Sequence, residues 1–154
     1  MGKDDSEQFT VDTVLAPVDG SDESATAVEY AVAVADRYDA DVHALFVLGR
    51  GVVRGLDAGT VDEDDVAEKT QGFFNDIGSI ADDYDVALST SVDDGFSQTR
   101  KTRHPGNVVL DTADELDADF IVLPREPVTE PSAEVLEKAA EYVLSYASQP
   151  VLSV

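Results

Sequence analysis

Residues 119–154 read DFIVLPREPVTEPSAEVLEKAAEYVLSYASQPVLSV. The apolar run Phe120 to Leu123 is followed by a proline-containing loop, a segment with apolar residues at helical spacing, and the short apolar run Val151 to Val154. Short apolar runs bounded by turn residues are typical of strands buried in a parallel sheet, and a helix is the usual connection between two such strands. This stretch therefore predicts a strand, a loop, a helix and a final strand.

The same alternation of apolar runs and helical segments extends back to residue 12. Strands are predicted, in chain order, at Thr13–Val18, Val42–Leu48, Val86–Val92, Phe120–Leu123 and Val151–Val154. The third of them carries the polar residues Ser89, Thr90 and Ser91, which favours an outer position in the sheet. Five strands that alternate with four helices predict the α/β class, with a doubly wound five-stranded parallel sheet and helices on both faces.

Four segments between these strands carry apolar residues three and four positions apart, as helices do. The positions are Val28, Ala31, Val32 and Ala35; Val66, Phe73, Ile77, Ile80 and Tyr84; Val109, Ala113 and Leu116; and Leu136, Ala139, Ala140, Val143 and Ala147. The glycine-rich stretch Gly49 to Gly59 is predicted as a connection outside these helices. Residues 1–11 are predicted to form a polar tail and residues 12–154 a single domain.

The chain has 33 acidic and 10 basic residues and a formal net charge of −23. A surface of this sign repels phosphate backbones and anionic headgroups, so neither nucleic acid nor a membrane is expected as a partner. The acids are spread along the whole chain. One interpretation is a halophilic protein, because concentrated salt screens the repulsion between carboxylates. The other is an acidic surface for a basic protein partner.

Cysteine is absent, which excludes disulfides and thiol chemistry. No apolar run is long enough to span a membrane and no signal-peptide core follows Met1, so a cytoplasmic location is expected. Met1, Gly2 and Ser6 match a myristoylation pattern, but the acids beside them favour a chance match. The acidic run 62–65 suits the start of a helix, and no metal site is predicted.

Three segments resemble those of a known family. Pro17-Val18-Asp19-Gly20-Ser21 follows the first strand, Ala118 to Val122 leads into the fourth, and Pro150 to Val154 ends the chain. In this order and on these elements they resemble the universal stress protein family. The resemblance implies the strand order 3-2-1-4-5 and a site for an adenine nucleotide where that order reverses. It also implies that Asp19 and the backbone of Val47 receive the adenosine.

The loop that holds phosphates in nucleotide-binding members has the pattern G-x-x-G-x9-G-[ST], and this chain departs from it at all four positions. Pro124 and Pro127 stand for the first two glycines, and Glu137 and Lys138 for the last two residues. Proline has no N–H to donate, and a carboxylate repels phosphate. We therefore expect a non-catalytic, dimeric stress-response domain with a degenerate phosphate loop. No cofactor is expected in that loop, although an adenine nucleotide remains possible as a ligand.

Basic residues are concentrated in the loops that leave the second, third and fourth strands. They are Arg50, Arg54, Arg100, Lys101, Arg103 and Arg125. These loops share one edge of a parallel sheet, so their charges favour a small anionic ligand such as AMP. The alternative is that they neutralise neighbouring acids. Under the first interpretation the ligand-binding residues are Asp19, Val47, Arg50, Arg103 and Arg125. Arg103 also replaces a glycine of the family pattern G-x-P-x-x-x-I, whereas Pro105 matches it.

Neither histidine is predicted to be catalytic. His43 lies inside the second strand, where a hydrogen-bonded structural role is expected, and His104 is expected to be a loop residue. The sequence marks no serine beside a histidine, so no activated nucleophile is predicted. The chain is not expected to be an enzyme, and a slow ATP hydrolase is the alternative from a different functional class.

The terminal strand predicts a homodimer. In the order 3-2-1-4-5 the residues Val151, Leu152, Ser153 and Val154 form an edge that carries no charge and no internal proline. Unprotected edges of this kind are usually covered by another strand. The family resemblance implies that the strand pairs with its twin across a two-fold axis.

Overall fold

A computed structural model of the chain describes residues 9–94, 105–124 and 134–154. These ranges contain the strands β1 (Thr13–Val18), β2 (Asp41–Leu48), β3 (Leu88–Asp94), β4 (Phe120–Leu123) and β5 (Val151–Ser153). They contain the helices α1 (Asp22–Tyr38), α2 (Arg50–Ala58), α3 (Glu63–Asp83), α4 (Pro105–Glu115) and α5 (Glu134–Tyr146). No helix in these ranges is long and apolar enough to cross a lipid bilayer.

The strands form one parallel sheet in the order β3-β2-β1-β4-β5, which confirms the predicted topology. β1 is central and pairs with β2 along its whole length, from Thr13 opposite Asp41 to Val18 opposite Phe46. The strand order reverses between β1 and β4. β3 lies at one edge of the sheet, as its polar residues predicted.

Helices cover both faces of the sheet. Alternate residues of β1 enter two separate cores, with Val14, Ala16 and Val18 in one and Leu15 in the other. Helices α1 and α3 contribute to the first core, and α4 and α5 contribute to the second. A strand that is buried on both faces needs apolar side chains at successive positions. The apolar runs of the sequence are continuous for this reason.

Helices α1, α3 and α4 end in the same way at the amino-terminal edge of the sheet. An aspartate in the left-handed conformation follows each helix: Asp39 (φ 58°), Asp85 (φ 57°) and Asp117 (φ 53°). The next residue is buried and donates its N–H to a carbonyl five residues earlier: Ala40 to Ala35 (2.8 Å), Val86 to Ala81 (3.0 Å) and Ala118 to Ala113 (2.8 Å). This is the hydrogen bond of a Schellman motif, here with aspartate in place of the usual glycine.

Of the predicted N-terminal tail, residues 9–11 are described and pack on the domain. Val11 is 2% exposed, and the ring of Phe9 contacts the rings of Tyr38 and Phe120. The carboxylate of Asp119 then accepts hydrogen bonds from the backbone N–H groups of residues 12 (2.7 Å) and 13 (3.1 Å). This side chain ties the start of β1 to the start of β4.

The glycine-rich connection after β2 contains a fifth helix, α2, which the prediction of four helices did not include. Gly49 precedes the helix, and Gly59 ends it in the left-handed conformation (φ 76°) with its N–H directed at the carbonyls of Gly55 and Leu56. Glycine at a helix C-terminus is a stop signal. Glycines flank both loops and short helices, which is why the sequence alone did not indicate α2.

Two residues predicted to face the core are exposed. Tyr84 is 44% exposed and Leu116 is 37% exposed, because each lies one residue beyond the end of its helix, α3 and α4 respectively. The predicted start of the third strand was also early, since Val86 belongs to the turn and β3 begins at Leu88. The acidic run is confirmed at the start of α3, where Asp62 caps the helix by accepting from the N–H of Asp64. No group of metal-binding side chains occurs in the described ranges.

Candidate functional site

The neighbouring strands β1 and β4 pair over only part of their length, at the point where the strand order reverses. The two strands pair at Val14 with Phe120 and at Leu15 with Ile121, although β1 continues to Val18. Successive residues of a strand in a parallel sheet direct their backbone N–H and carbonyl groups to opposite neighbours, and Pro17 is directed toward β4. Proline has no N–H to donate to that strand. The strands therefore separate before β1 ends. Ligands of open α/β sheets bind beyond the carboxyl ends of the strands at such a reversal.

Asp19 lies at this point, directly after β1, and is 9% exposed. Its Oδ1 accepts hydrogen bonds from the backbone N–H of Ser21 (3.0 Å) and from the hydroxyl of Ser21 (2.5 Å). Ser21 is also the N-cap of α1, where its Oγ accepts from the N–H of Ser24 (3.1 Å). The backbone and the helix cap therefore fix one oxygen of the Asp19 carboxylate.

The other carboxylate oxygen, Oδ2 of Asp19, is buried and accepts no hydrogen bond within the described part of the chain. Buried polar atoms almost always have a partner, and leaving one without costs about 1–3 kcal/mol, more when the group is charged. An aspartate directly after a strand can cap the turn or orient a ligand. The structure gives Oδ1 the first role and leaves Oδ2 available for the second.

Gly20 brings the turn after Asp19 close to the aromatic side of the first core. It has φ 89°, and a Cβ at this position would lie 3.3 Å from the ring of Phe46. The ring of Phe46 in turn makes edge contacts with Phe73 and Phe74. Glycine meets both demands, because it adopts positive φ without strain and has no Cβ.

Val47 lies beside this turn in β2. Its side chain is 1% exposed and packs in the second core. The last residues paired between β1 and β2 are Val18 and Phe46, so Val47 is aligned with Asp19. Since odd-numbered residues of β2 direct their backbone toward β1, as Asp41 does in bonding to Asp12, the carbonyl of Val47 is directed toward the turn. Its side chain is buried, so its backbone is the part it can offer to a ligand.

The structure describes part of the predicted basic cluster. Arg50 is the first residue of α2, directly beyond the carboxyl end of β2, and Arg54 is exposed on the same helix. Arg103 and Arg125, together with Arg100 and Lys101, lie outside the described residues. The proposal that these side chains meet around an anion therefore stays a prediction.

Two of the four positions of the family's phosphate loop are helical here. Glu137 and Lys138 are the fourth and fifth residues of α5, which begins at Glu134. Pro124 is buried directly after β4, and Pro127 lies outside the described residues. Pro124 has no N–H at the position where β4 ends, so the chain offers one fewer backbone donor there.

His43 is confirmed as a hydrogen-bonded residue of the sheet, and it contacts two serines that the sequence analysis did not connect with it. Its Nδ1 lies 2.7 Å from Oγ of Ser89 and its Nε2 lies 2.8 Å from Oγ of Ser91. Burial lowers the pKa of His43 below its ordinary value of 6.5, so the ring is neutral near pH 7. The missing signal was the register of β2 against β3, which puts these three side chains on one face.

Comparisons with known proteins agree with this architecture. The model of the universal stress protein family matches residues 10–154. A universal stress protein of Methanocaldococcus jannaschii is 28% identical over 144 residues, which are 92% of this chain and 80% of that protein.

Two solved structures share the fold. One is a universal stress protein in complex with cAMP, with a TM-score of 0.65 and 18% identity over 95% of this chain and 98% of that one. The other is the universal stress protein from Archaeoglobus fulgidus in complex with dAMP, with a TM-score of 0.61 and 20% identity over 95% and 98% of the two chains. The family model spans nearly the whole sequence, and the sheet order is the one that the family resemblance implied. This chain belongs to the universal stress protein family.

Proposed function

We propose that this chain is a regulatory domain of the universal stress protein type that binds an AMP-like ligand at Asp19 and does not turn it over. The observation that carries the proposal is the buried Oδ2 of Asp19, which accepts no hydrogen bond in the described part of the chain. It lies at the strand-order reversal, where ligands of such sheets bind. The cAMP and dAMP bound to structural relatives support the same ligand class.

The chemistry of the site suits a nucleoside. A free carboxylate oxygen and the carbonyl of Val47 are both acceptors, and adenosine carries donors in its exocyclic amine and ribose hydroxyls. A hydrogen bond to a charged group contributes about 1.5–3 kcal/mol, roughly twice a neutral one. The nucleoside part of the ligand is therefore expected to supply most of the affinity.

The end of β4 favours a monophosphate over a triphosphate. Pro124 cannot donate an N–H to a β- or γ-phosphate, and Glu137 adds a carboxylate to the chain at a position where the family pattern has glycine. With fewer backbone donors at the end of β4, the additional phosphates are expected to gain little affinity, and a γ-phosphate is not expected to be oriented for hydrolysis. Binding without turnover is the expected outcome.

Asp19→Asn tests the role of the free oxygen. The asparagine oxygen can keep both donors of Ser21, which places an NH2 group where Oδ2 was and turns an acceptor into a donor. We expect the affinity for AMP, measured by isothermal titration calorimetry, to fall by about tenfold or more. The matched control is Asp22→Asn, an exposed residue three positions along the chain that loses the same charge. Equal affinity in both variants would contradict the proposal.

Comparison of nucleotides tests the phosphate argument separately. ATP is expected to bind no more tightly than AMP, within about twofold, and to remain intact during incubation with the protein. The measurement is titration of both nucleotides, followed by chromatography of the ATP sample. ATP that bound about tenfold more tightly than AMP, or that was hydrolysed at a rate abolished by Asp19→Asn, would support the hydrolase instead.

We further propose that β5 mediates a homodimer. β5 is a sheet edge whose residues are half-buried, and Tyr38 and Leu144 expose apolar surface on helices to either side of the sheet. Removing this strand should therefore remove the interface. Deleting residues 151–154 is expected to yield a monomer in light scattering, whereas the full chain is expected to be a dimer. A deletion variant that remained a well-behaved dimer would refute this interface.

A further inference from the structure

We propose that the outer edge of β3 is a docking site for an extended segment of a basic partner protein, which adds to the sheet as a further strand. The site lies at the opposite end of the sheet from β5 and does not involve Asp19. It is independent of the function proposed above.

The register shows which backbone groups of β3 are free. Val42 donates its N–H to the carbonyl of Ala87 (2.9 Å), so residues 87, 89, 91 and 93 direct their backbone toward β2. Leu88, Thr90 and Val92 direct their N–H and carbonyl groups outward. In the described part of the chain no strand pairs with this side of β3. The edge thus offers a row of donors and acceptors with the spacing that an extended peptide needs.

β3 carries few of the features that protect exposed edges, and its two charged residues, Asp93 and Asp94, lie at its end. The strand contains neither proline nor lysine, and its exposed residues include Thr90 and Val92, the latter 50% exposed. Edge strands that must remain unpaired usually carry such features or a bulge. The bonds of His43 to Ser89 and Ser91 also hold the strand against β2. The edge is therefore ordered before a partner arrives, which lowers the entropic cost of binding.

The two faces of β3 differ, and this defines the pattern of the partner. Val92 is opposite Phe46 in register and Leu88 packs on the first core, so this face of the edge is largely apolar, with Thr90 between the two. The other face carries the serines. Because side chains alternate between faces along a strand, the added strand should alternate apolar and polar residues.

Charge indicates that the polar residues of the partner are basic. Residues 70–94 contain six acids and no basic residue. Asp82, Asp83 and Asp85 are exposed before β3, and Asp93 and Asp94 end it. Lysine or arginine at alternate positions of an added strand would lie between these acids. Complementary charges of this kind select the partner and accelerate its association.

A second copy of this chain fits the edge poorly. Antiparallel pairing centred on Ser91 would place Asp93 and Asp94 of each copy opposite Ser89 and Leu88 of the other, three residues from its Asp85. Like charges placed across an interface disfavour that partner.

The test uses the full chain and three labelled heptapeptides. The first is Lys-Val-Lys-Val-Lys-Val-Lys, the second replaces lysine with glutamate, and the third is the first with N-methyl groups on the residues that would face β3. Fluorescence anisotropy should show binding of the first peptide, with affinity at least about tenfold weaker for the other two. Equal binding of the N-methylated peptide, or of the glutamate peptide, would overturn the proposal.

A substitution in β3 provides the second arm. Thr90→Pro removes an outward N–H that takes no part in pairing with β2, and Thr90→Val is the matched control that keeps it. The proline variant should bind the lysine peptide about tenfold more weakly, and the valine variant should bind as the parent does. If Thr90→Pro fails to fold by circular dichroism, the peptides alone decide. Binding unchanged by the proline, or a change in oligomeric state by sedimentation that shows a second copy on this edge, would overturn the proposal.

Discussion

The amino-terminal and carboxyl-terminal edges of the sheet differ in how completely their polar groups are hydrogen-bonded. At the amino-terminal edge, three helices end in the same Schellman-type motif. Asp39, Asp85 and Asp117 adopt the left-handed conformation, and the N–H of the residue after each is bonded back into the helix. At the carboxyl-terminal edge, Pro17 ends the pairing of β1 with β4, and Oδ2 of Asp19 remains without a partner in the described ranges.

This difference between the two edges indicates that one contributes mainly to stability and the other mainly to function. Closing the backbone at these three helix ends satisfies polar groups that would otherwise cost free energy. Leaving one carboxylate oxygen unpaired has the reverse effect, and such a cost persists where a ligand recovers it. Substitutions at the first edge should therefore change folding, and substitutions at the second should change binding, unless they disturb packing.

Gly106 lies at the start of α4, at the carboxyl-terminal edge of the sheet. Its substitution should disturb packing and therefore change stability, and this is the largest effect that we expect. A Cβ on Gly106 would lie 2.4 Å from Cβ of Tyr142 on α5, which allows no rotamer to relieve the clash. We expect Gly106→Ala to lower the free energy of unfolding by about 2–3 kcal/mol in urea denaturation. Gly72→Ala is the control, since Gly72 is a helical glycine with nothing within 4 Å, and it should stabilise by up to about 1 kcal/mol. Equal effects of the two substitutions would show that α4 and α5 are not closely packed.

Asp39→Val should weaken the Schellman-type motif that ends α1 at the amino-terminal edge of the sheet. A left-handed conformation costs a residue with an L side chain about 1–2 kcal/mol, and a β-branched residue tolerates it least. The expected loss of stability lies in that range and should be visible as a lower urea midpoint. Asp39→Gly should be neutral or stabilising, because glycine adopts this conformation freely. Equal destabilisation by valine and glycine would mean that the aspartate side chain, and not its backbone, closes the helix.

His43 lies between the two edges and should show a pH-dependent effect. Replacing it with glutamine weakens its bonds to Ser89 and Ser91 and should cost about 1 kcal/mol at pH 8. Because burial lowers the pKa of His43 in the folded state below 6.5, acidification protonates this histidine in the unfolded chain first. The stabilisation is thus present above pH 6.5 and is lost as pH falls from there toward the folded-state pKa.

The measurement is urea denaturation of the parent and the His43→Gln variant between pH 8 and pH 5. Comparing the two removes the contribution of the many carboxylates, which both proteins share. The difference in unfolding free energy should narrow on acidification. A difference that stays constant would show that the ring of His43 is not desolvated.

The extent of the sequence prediction follows from the kind of interaction involved. Strands buried on both faces leave continuous apolar runs, so the strand positions and the class of fold could be predicted. The strand order came with the family resemblance. Helix α2 was missed because its flanking glycines signal both loops and helix ends, and Leu116 was misplaced because helical spacing continued one residue past α4. These errors concern boundaries, where local propensity is weakest.

The site was predictable in position and not in detail. Asp19 could be singled out because a turn motif follows the first strand, but the lack of a partner for Oδ2 depends on the rotamer and on Ser21. The contact of His43 with Ser89 and Ser91 depends on the register of two strands that are 40 and more residues apart. Long-range register is set by the whole sheet and leaves little signal in either strand alone.

The smallest expected effect compares the two ends of one helix. Asp22 lies in the first turn of α1, where the helix dipole favours a negative charge, and Asp39 follows its last turn, where the dipole disfavours it. Both side chains are exposed, and asparagine suits each backbone position. In dilute buffer Asp22→Asn should lower the midpoint of thermal unfolding and Asp39→Asn should raise it, each corresponding to about 0.3–1 kcal/mol.

Salt should reduce both shifts in the unfolding midpoint, because the Debye length falls to roughly 3 Å in about 1 M KCl. The parent protein itself should become more stable under these conditions, because the repulsion among its 33 acids is screened. Shifts of equal sign would show that net charge alone governs stability, and a parent destabilised by KCl would contradict the halophilic interpretation of the composition.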